Sequence, residues 1–270
     1  MRAVVVGAGA VGARAARQLV STKAFAGLRL VDVDQSRADA VAASLGVGVA
    51  VASWEPERLG DGDVVVLATP GRHRDLAEAA LARGAHVVSV ADAIPEVRDL
   101  LALDPEARGR GRSVVVGAGF APGLTCVLAR HAAAGFDTID EVHVAKVGTG
   151  GPACARQHHR SLRSDALDWR DGDWARRRGG SGRELCWFPD PAGAQDCYRA
   201  GLADALVLVP AFPGVQRVTA RVAASRRDRL TARLPMLRRP HSEGLLGAAR
   251  VEVRGRRGLA TDVRVLGAFD

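Results

Sequence analysis

Apolar positions in the first 120 residues cluster in short runs: Ala3–Val6, Leu28–Val33, Val47–Val51, Val64–Ala68, His86–Val90 and Ser113–Val116. Between them lie segments with helical spacing, notably an Ala-rich stretch to about Ser21, one opening at Gln35, and Asp75–Arg83. A strand covered on both faces reads as a continuous apolar run, so the pattern predicts a parallel sheet with helices on each side.

The first run leads into Gly7-Ala8-Gly9-Ala10-Val11-Gly12. In a strand–turn–helix context the first glycine permits a tight turn. The second lets backbone approach a pyrophosphate, and the third lets helix pack closely on strand. Free N–H groups at the helix start, Ala10 and Val11 among them, then face the phosphates. An acid about twenty residues on meets the adenosine ribose. Both Asp32 and Asp34 can reach that strand tip, and Asp34 is preferred because Gln35-Ser36-Arg37 opens the next helix. An acid there favours NAD, whereas Arg37 can meet the 2′-phosphate of NADP, so either cofactor is expected. Ligands in such sheets lie beyond the carboxyl ends of the strands. That rule puts Thr69, Pro70, Asp92, Gly119 and Phe120 on the cofactor rim, although Asp92 can equally cap a helix.

Beyond residue 120 the pattern changes. Pro122 suits the first turn of a helix running to about Ala134. Ile139–Val147 half-alternates, and Leu206–Val209, Gln216–Ala224, Arg250–Arg254 and Asp262–Leu266 follow as further strand candidates. Short helices are expected at Ala153–Ser164 and near Arg199–Ala205. The fold class is therefore α/β: a Rossmann-type parallel sheet over residues 1–122, then a mixed or antiparallel α+β domain for substrate and dimerisation over 123–270.

Composition narrows the function. The chain has 270 residues, 47% hydrophobic and 25% charged, the balance of a soluble globular protein. No run approaches the roughly 20 apolar residues of a membrane span, and the start shows no secretory pattern, so a cytoplasmic protein without membrane contact is expected. The net charge of +8 invites a nucleic-acid reading, but only Lys23 and Lys146 are lysines and the arginines are scattered. With no aromatic platform or basic motif, no nucleic-acid partner is expected. Cys126, Cys154, Cys186 and Cys197 form no CxxC pair, so free thiols and no metal site are expected.

Hydride transfer needs a positioned cofactor and a proton-transferring group. The densest polar constellation is His158-His159, framed by Arg156 and Arg160. Adjacent helical residues diverge by about 100°, so one histidine faces the substrate. His159 is preferred over His158 because Arg156, three residues earlier, shares its face and can hold a carboxylate. A surface helix is the plainer reading of the same residues. Arg183 beside the Gly179–Gly182 loop, Tyr198 with Arg199, and His241 between Pro240 and Ser242 complete the substrate-binding candidates. Tyr198 can equally tie core strands together, and the His241 segment can be only a turn.

With GAGAVG at Gly7–Gly12, an acid around Asp34 and GAGFAPGLTCVLA at Gly117–Ala129, the chain resembles the saccharopine dehydrogenase-like family of NAD(P)-dependent oxidoreductases. The resemblance implies a dinucleotide domain followed by a mixed αβ substrate domain. It also implies a homodimer and a small amino- or imino-acid-like substrate, such as a lysine-derived amino acid, an opine-like secondary amine or a polyamine. Arg-rich segments in the second half suit a carboxylate. Gly148–Leu162 looks like a narrower branch. Relatives of this type commonly return a final helix to the first domain, whereas this sequence stops at Phe269-Asp270. Two other readings stand beside this one. A sugar or polyol oxidoreductase commonly carries Glu-Lys-Pro where this chain has Asp92-Ala93-Ile94-Pro95, and a dinucleotide-binding sensor would show no turnover.

Overall fold

The computed structural model describes residues 1–46, 48–148, 150–235 and 246–269. The chain divides into two compact units, Met1–Ala91 with Pro95–Ala118, and Asp92–Ile94 with Gly119–Asp270.

The first unit alternates strand and helix. Its elements are β1 (Ala3–Val6), α1 (Ala10–Thr22), β2 (Leu28–Val31), α2 (Gln35–Leu45), β3 (Val49–Ala52), β4 (Val64–Leu67), α3 (His73–Ala82), β5 (His86–Ser89), α4 (Ile94–Leu101), α5 (Asp104–Gly109) and β6 (Val114–Val116). The strands form one parallel sheet in the order β3-β2-β1-β4-β5-β6, which reverses direction of winding between β1 and β4. The valine runs form strands because β-branched side chains fit a pleated surface buried on both faces. Ala3, Val5, Leu28, Leu30 and Val66 pack against Ala16 of α1 in one core. Edges differ slightly from expectation. Strand β2 stops at Val31, leaving Val33 fully exposed, α3 opens two residues early at His73, and Val47 lies outside the described residues.

The second unit holds α6 (Leu124–Ala132), β7 (Thr138–Val147), α7 (Pro152–Arg163), β8 (Ala166–Arg170), β9 (Asp173–Arg177), β10 (Glu184–Trp187), β11 (Ala194–Arg199), α8 (Asp204–Ala211), β12 (Arg217–Ala223), α9 (Arg226–Thr231), β13 (Ala248–Arg257) and β14 (Ala260–Phe269). Its eight-stranded sheet runs β10-β11-β12-β7-β13-β14, with β8 on β12 and β9 on β8. Only β12 and β7 pair in parallel, so the sheet is mixed. Val142 and Val144 of β7, Tyr198 of β11 and Val218, Ala220 and Val222 of β12 pack into one cluster with Ala129, Leu162 and Leu208 from the helices. The alternate residues Ala145, Ala223 and Cys197 face the other way, with Cys186 and Phe188.

Three local expectations are corrected. Leu206–Val209 lies inside α8, not a strand, because a short apolar run buried on most sides has no period to distinguish helix from strand. Arg199 closes β11 and the expected helix starts only at Asp204. Pro122 precedes the helix rather than opening it: Gly123 caps α6 at φ +144°, where a Cβ would overlap the Gly119 carbonyl. The hairpins β8–β9 and β10–β11 were not foreseen. Among the described residues no helix is long and apolar enough to cross a membrane.

Leu208 is almost fully buried in α8. Replacing it with alanine is expected to lower unfolding free energy by about 2–5 kcal/mol in a denaturant titration. A change below about 1 kcal/mol would contradict its place in the core.

Candidate functional site

In the first unit, Gly7 leaves β1 at φ +104°, its N–H donating to Val31 O at 2.7 Å. Gly9 is the N-cap of α1 and provides no side-chain cap. The first-turn N–H groups of this 13-residue helix are therefore left for another acceptor, at its partially positive end. A Cβ on Gly9 would meet nothing within 4 Å, whereas one on Gly12 would overlap the Gly7 carbonyl. The loop is thus closed where helix meets strand and open where a phosphate would lie. These residues fit a dinucleotide pyrophosphate.

The two acids after β2 do different work. Asp32, nearly buried, accepts from Ala8 N at 2.6 Å and from Asp34 N at 2.9 Å, tying the glycine loop to the end of β2. Asp34 is half-exposed and caps α2, accepting from Arg37 N at 3.1 Å. The hydroxyl of Ser36 and the N–H of Arg37 hold its carboxyl below the usual range. Arg37 Nη2 donates to Asp34 at 2.9 Å and its Nη1 lies 3.7 Å from Asp32, so its charge already faces two carboxylates. Gln35 donates to Asp39 at 3.5 Å.

His73 escaped the sequence reading. It is fully buried, with Nδ1 2.7 Å from Ser89 Oγ and Nε2 2.7 Å from Thr69 O. A carbonyl only accepts, so Nε2 carries the proton and Nδ1 accepts from the serine. The imidazole thereby fixes the Thr69-Pro70 turn to the end of β5. Ser89 Oγ also accepts from Ala91 N at 3.1 Å. Asp92, Gly119 and Phe120 fall in the second unit, where Thr125 N donates to Phe120 O at 3.2 Å.

The second unit contains a cavity of about 920 Å³, bordered by Val147 and Gly148 at the end of β7, His158 of α7, Asp196 and Tyr198 of β11, Arg183, and Arg226 and Arg229 of α9. Arg183 is spent on Asp196 at 2.9 Å. The Arg229 guanidinium lies 4.1 Å over the Tyr198 ring, a cation–π contact, and its Nε donates to Gly180 O at 3.0 Å. A Ser225–Asp228 capping box fixes the start of α9 and occupies Asp228. Arg226 and Arg229 have no carboxylate partner among the described residues. The sequence reading missed both, since neither sits in a motif.

His158 projects to this cavity, its Nδ1 buried and without a hydrogen-bond partner among the described residues. Burial, reinforced by the charge of Lys146, pushes its pKa down to about 4, so it is neutral at pH 7. His159 diverges and its Nε2 meets Leu234 O at 3.2 Å. Arg156 does not border the cavity, and Arg199 pairs with the buried Asp168 at 2.9 Å. Of the sequence-derived candidates the cavity thus gathers His158, Arg183 and Tyr198. His241 lies outside the described residues. Among the described residues no group of three His, Cys, Asp or Glu could hold a metal.

Residues 1–91 match the model of the GFO/IDH/MocA oxidoreductase family, described as an NAD-binding Rossmann fold. The saccharopine dehydrogenase (L-Glu forming) of Saccharomyces cerevisiae is similar in structure, with TM-score 0.61, 15% identity, and coverage of 99% of this chain and 85% of that one. The myo-inositol dehydrogenase of Lactobacillus casei, solved with NAD(H) and myo-inositol, gives 0.50 at 13% identity over 98% of this chain and 74% of that one. A Corynebacterium glutamicum myo-inositol dehydrogenase gives 0.50 at 13% identity, with the same 98% and 74% coverage. These likenesses are of fold. The match makes the first unit the NAD-binding Rossmann domain of an NAD(P)-dependent oxidoreductase.

Gly9→Val should abolish NAD(H) binding by calorimetry while leaving the melting temperature near wild type, because its side chain enters open space. Gly12→Val should instead lower the melting temperature sharply. Wild-type affinity in Gly9→Val would refute the placement of the pyrophosphate.

Proposed function

We propose that the chain oxidises or reduces a small amino- or imino-acid-like substrate, as a saccharopine dehydrogenase-like oxidoreductase. Residues 1–122 serve as the dinucleotide domain and 123–270 as the substrate and dimerisation domain. The observation that carries this reading is the cationic cavity of the second unit, where Arg226 and Arg229 keep their charges uncommitted to carboxylates beside Tyr198 and a neutral His158. A guanidinium presents paired donors that match a carboxylate, and a neutral imidazole leaves that positive field undiluted near an amine. His158, rather than the initially preferred His159, takes the substrate-facing role. Arg156, Arg199 and His241 are not needed for it. A polyol would use no such charge.

For the cofactor, Asp34 at the exposed tip of α2 repels a 2′-phosphate, and Arg37 is already neutralised by it. This favours NAD over NADP. A homodimer belongs to the same reading, supported by the exposed apolar row Val263, Val265 and Phe269 along edge strand β14. Four free thiols suit a reducing compartment such as the cytoplasm.

The test is a spectrophotometric panel of 2-oxo acids with amines and NADH or NADPH, set against polyols with NAD⁺ or NADP⁺. Turnover is expected with an imine-forming pair and NADH. Arg229→Met should then raise KM roughly 10–100-fold, the worth of a charged hydrogen bond of about 1.5–3 kcal/mol. Turnover confined to polyols would sink the amino-acid reading, and a clear preference for NADPH would sink the cofactor assignment.

A further inference from the structure

Of the 38 lysines and arginines, only Lys23 and Lys146 are lysines. Lys23 is exposed just past α1. Lys146 is half-buried near the carboxyl end of β7, on the face that carries Val142 and Val144 into the core beneath the helices. Strand register sets it directly opposite Val222 of β12, which is itself opposite Tyr198 of β11. Lys146 therefore shares one row and one face with the cavity tyrosine. Its chain neighbour Val147 also borders that cavity.

Two helices carry unfinished polar groups within reach of the Lys146 charge. His158 of α7 has its buried Nδ1 unpartnered, and Asp204, at the start of α8 and wholly buried, has Oδ2 unpartnered, each among the described residues. The other Asp204 oxygen accepts from Thr125 Oγ1 at 2.6 Å. Both His158 and Asp204 feel the charge of Lys146, which helps keep the histidine neutral and offsets part of the burial that pushes the Asp204 carboxyl up. Asp92 adds negative charge on Asp204. Lys146 itself forms no hydrogen bond or ion pair among the described residues. A purely structural lysine here would close on Asp204. This one leaves donors free, as Asp204 and His158 leave acceptor capacity free.

An arginine would supply the same charge but could not release a proton. In a chain that uses arginine for nearly every other cation, lysine at this position points to proton exchange. We propose that Lys146 is a catalytic residue, its ammonium touching the reacting nitrogen of the substrate and supplying the proton there. The proposal rests on the reading that the second unit binds an imino-acid-like substrate.

A nicotinamide cofactor, when bound, would supply the hydride with its electron pair to the imine carbon. As the C=N π pair moves to nitrogen, that nitrogen would take a proton from the Lys146 ammonium, leaving a neutral amine that regains a proton from water. In the oxidative direction the neutral amine would remove the N–H proton.

The experiment uses the full chain with Lys146→Arg and Lys146→Met, assayed with the reduced cofactor and the imine-forming pair from the panel. Each should lower kcat roughly 10²-fold or more while cofactor affinity and melting temperature stay near wild type. In parallel, the wild-type protein is treated with trinitrobenzenesulfonate and read by peptide mass spectrometry, with Lys23 as the exposed reference. Lys146 should be modified in the folded protein. The proposal is overturned if Lys146→Arg retains activity within a few-fold, since charge alone then suffices, or if Lys146 stays unmodified after Lys23 has fully reacted. Should no imine-forming pair turn over, the substrate reading fails separately. The labelling then decides on its own: a reactive Lys146 supports the assignment and an inert one overturns it.

Discussion

A helix that begins on glycine leaves its first N–H groups unmet, and the first unit is built around keeping them so. Gly9 offers α1 no side-chain cap, while the nearly buried Asp32 takes the N–H of Ala8 and that of Asp34. The carboxylate thus stiffens the loop from behind and leaves the first N–H donors of α1 without a side-chain acceptor. Van der Waals contact does the remainder: Gly12 sits where any Cβ would strike the Gly7 carbonyl, so α1 packs close to β1. At the start of α3 His73 performs a comparable task, its two ring nitrogens joining the Thr69 turn to Ser89. Rigid supports of this kind keep a binding loop in its working geometry without the ligand.

The second unit uses charge differently. Its sheet carries ion pairs, Arg199–Asp168, Arg221–Glu184 and Arg250–Glu252 among them. Those arginines are occupied by structure, and part-buried pairs of this kind cost desolvation that their partners must offset. Arg226 and Arg229 beside the cavity, and Lys146 on the helix-covered face, have no carboxylate partner among the described residues.

Legibility followed from how completely each element is covered. Strands β1, β2, β4 and β5 could be read because burial on both faces favours apolar runs rich in valine and leucine. Hairpin β8–β9 could not, since Asp173, Trp174, Arg176 and Arg177 are exposed and carry no period-two signal. Helix α8 was misread as a strand because its Leu-Val-Leu-Val core is apolar in either conformation. At the site, the glycine fingerprint was visible from local chemistry alone. The choice between His158 and His159 was not, because helix phase against the sheet depends on packing partners far along the chain. Asp204 lies 79 residues from its Thr125 partner, a contact no local pattern encodes. The one available clue to Lys146 was its rarity as a lysine.

The central claim, that the uncapped start of α1 is where the dinucleotide's phosphates are held, is tested most directly by backbone amide NMR of the full chain during titration with NAD⁺. The account predicts large shifts and slowed hydrogen exchange at the amides of Gly9, Ala10, Val11 and Gly12, with little change in the β8–β9 hairpin. Saturable binding that leaves those four amides unmoved would contradict it.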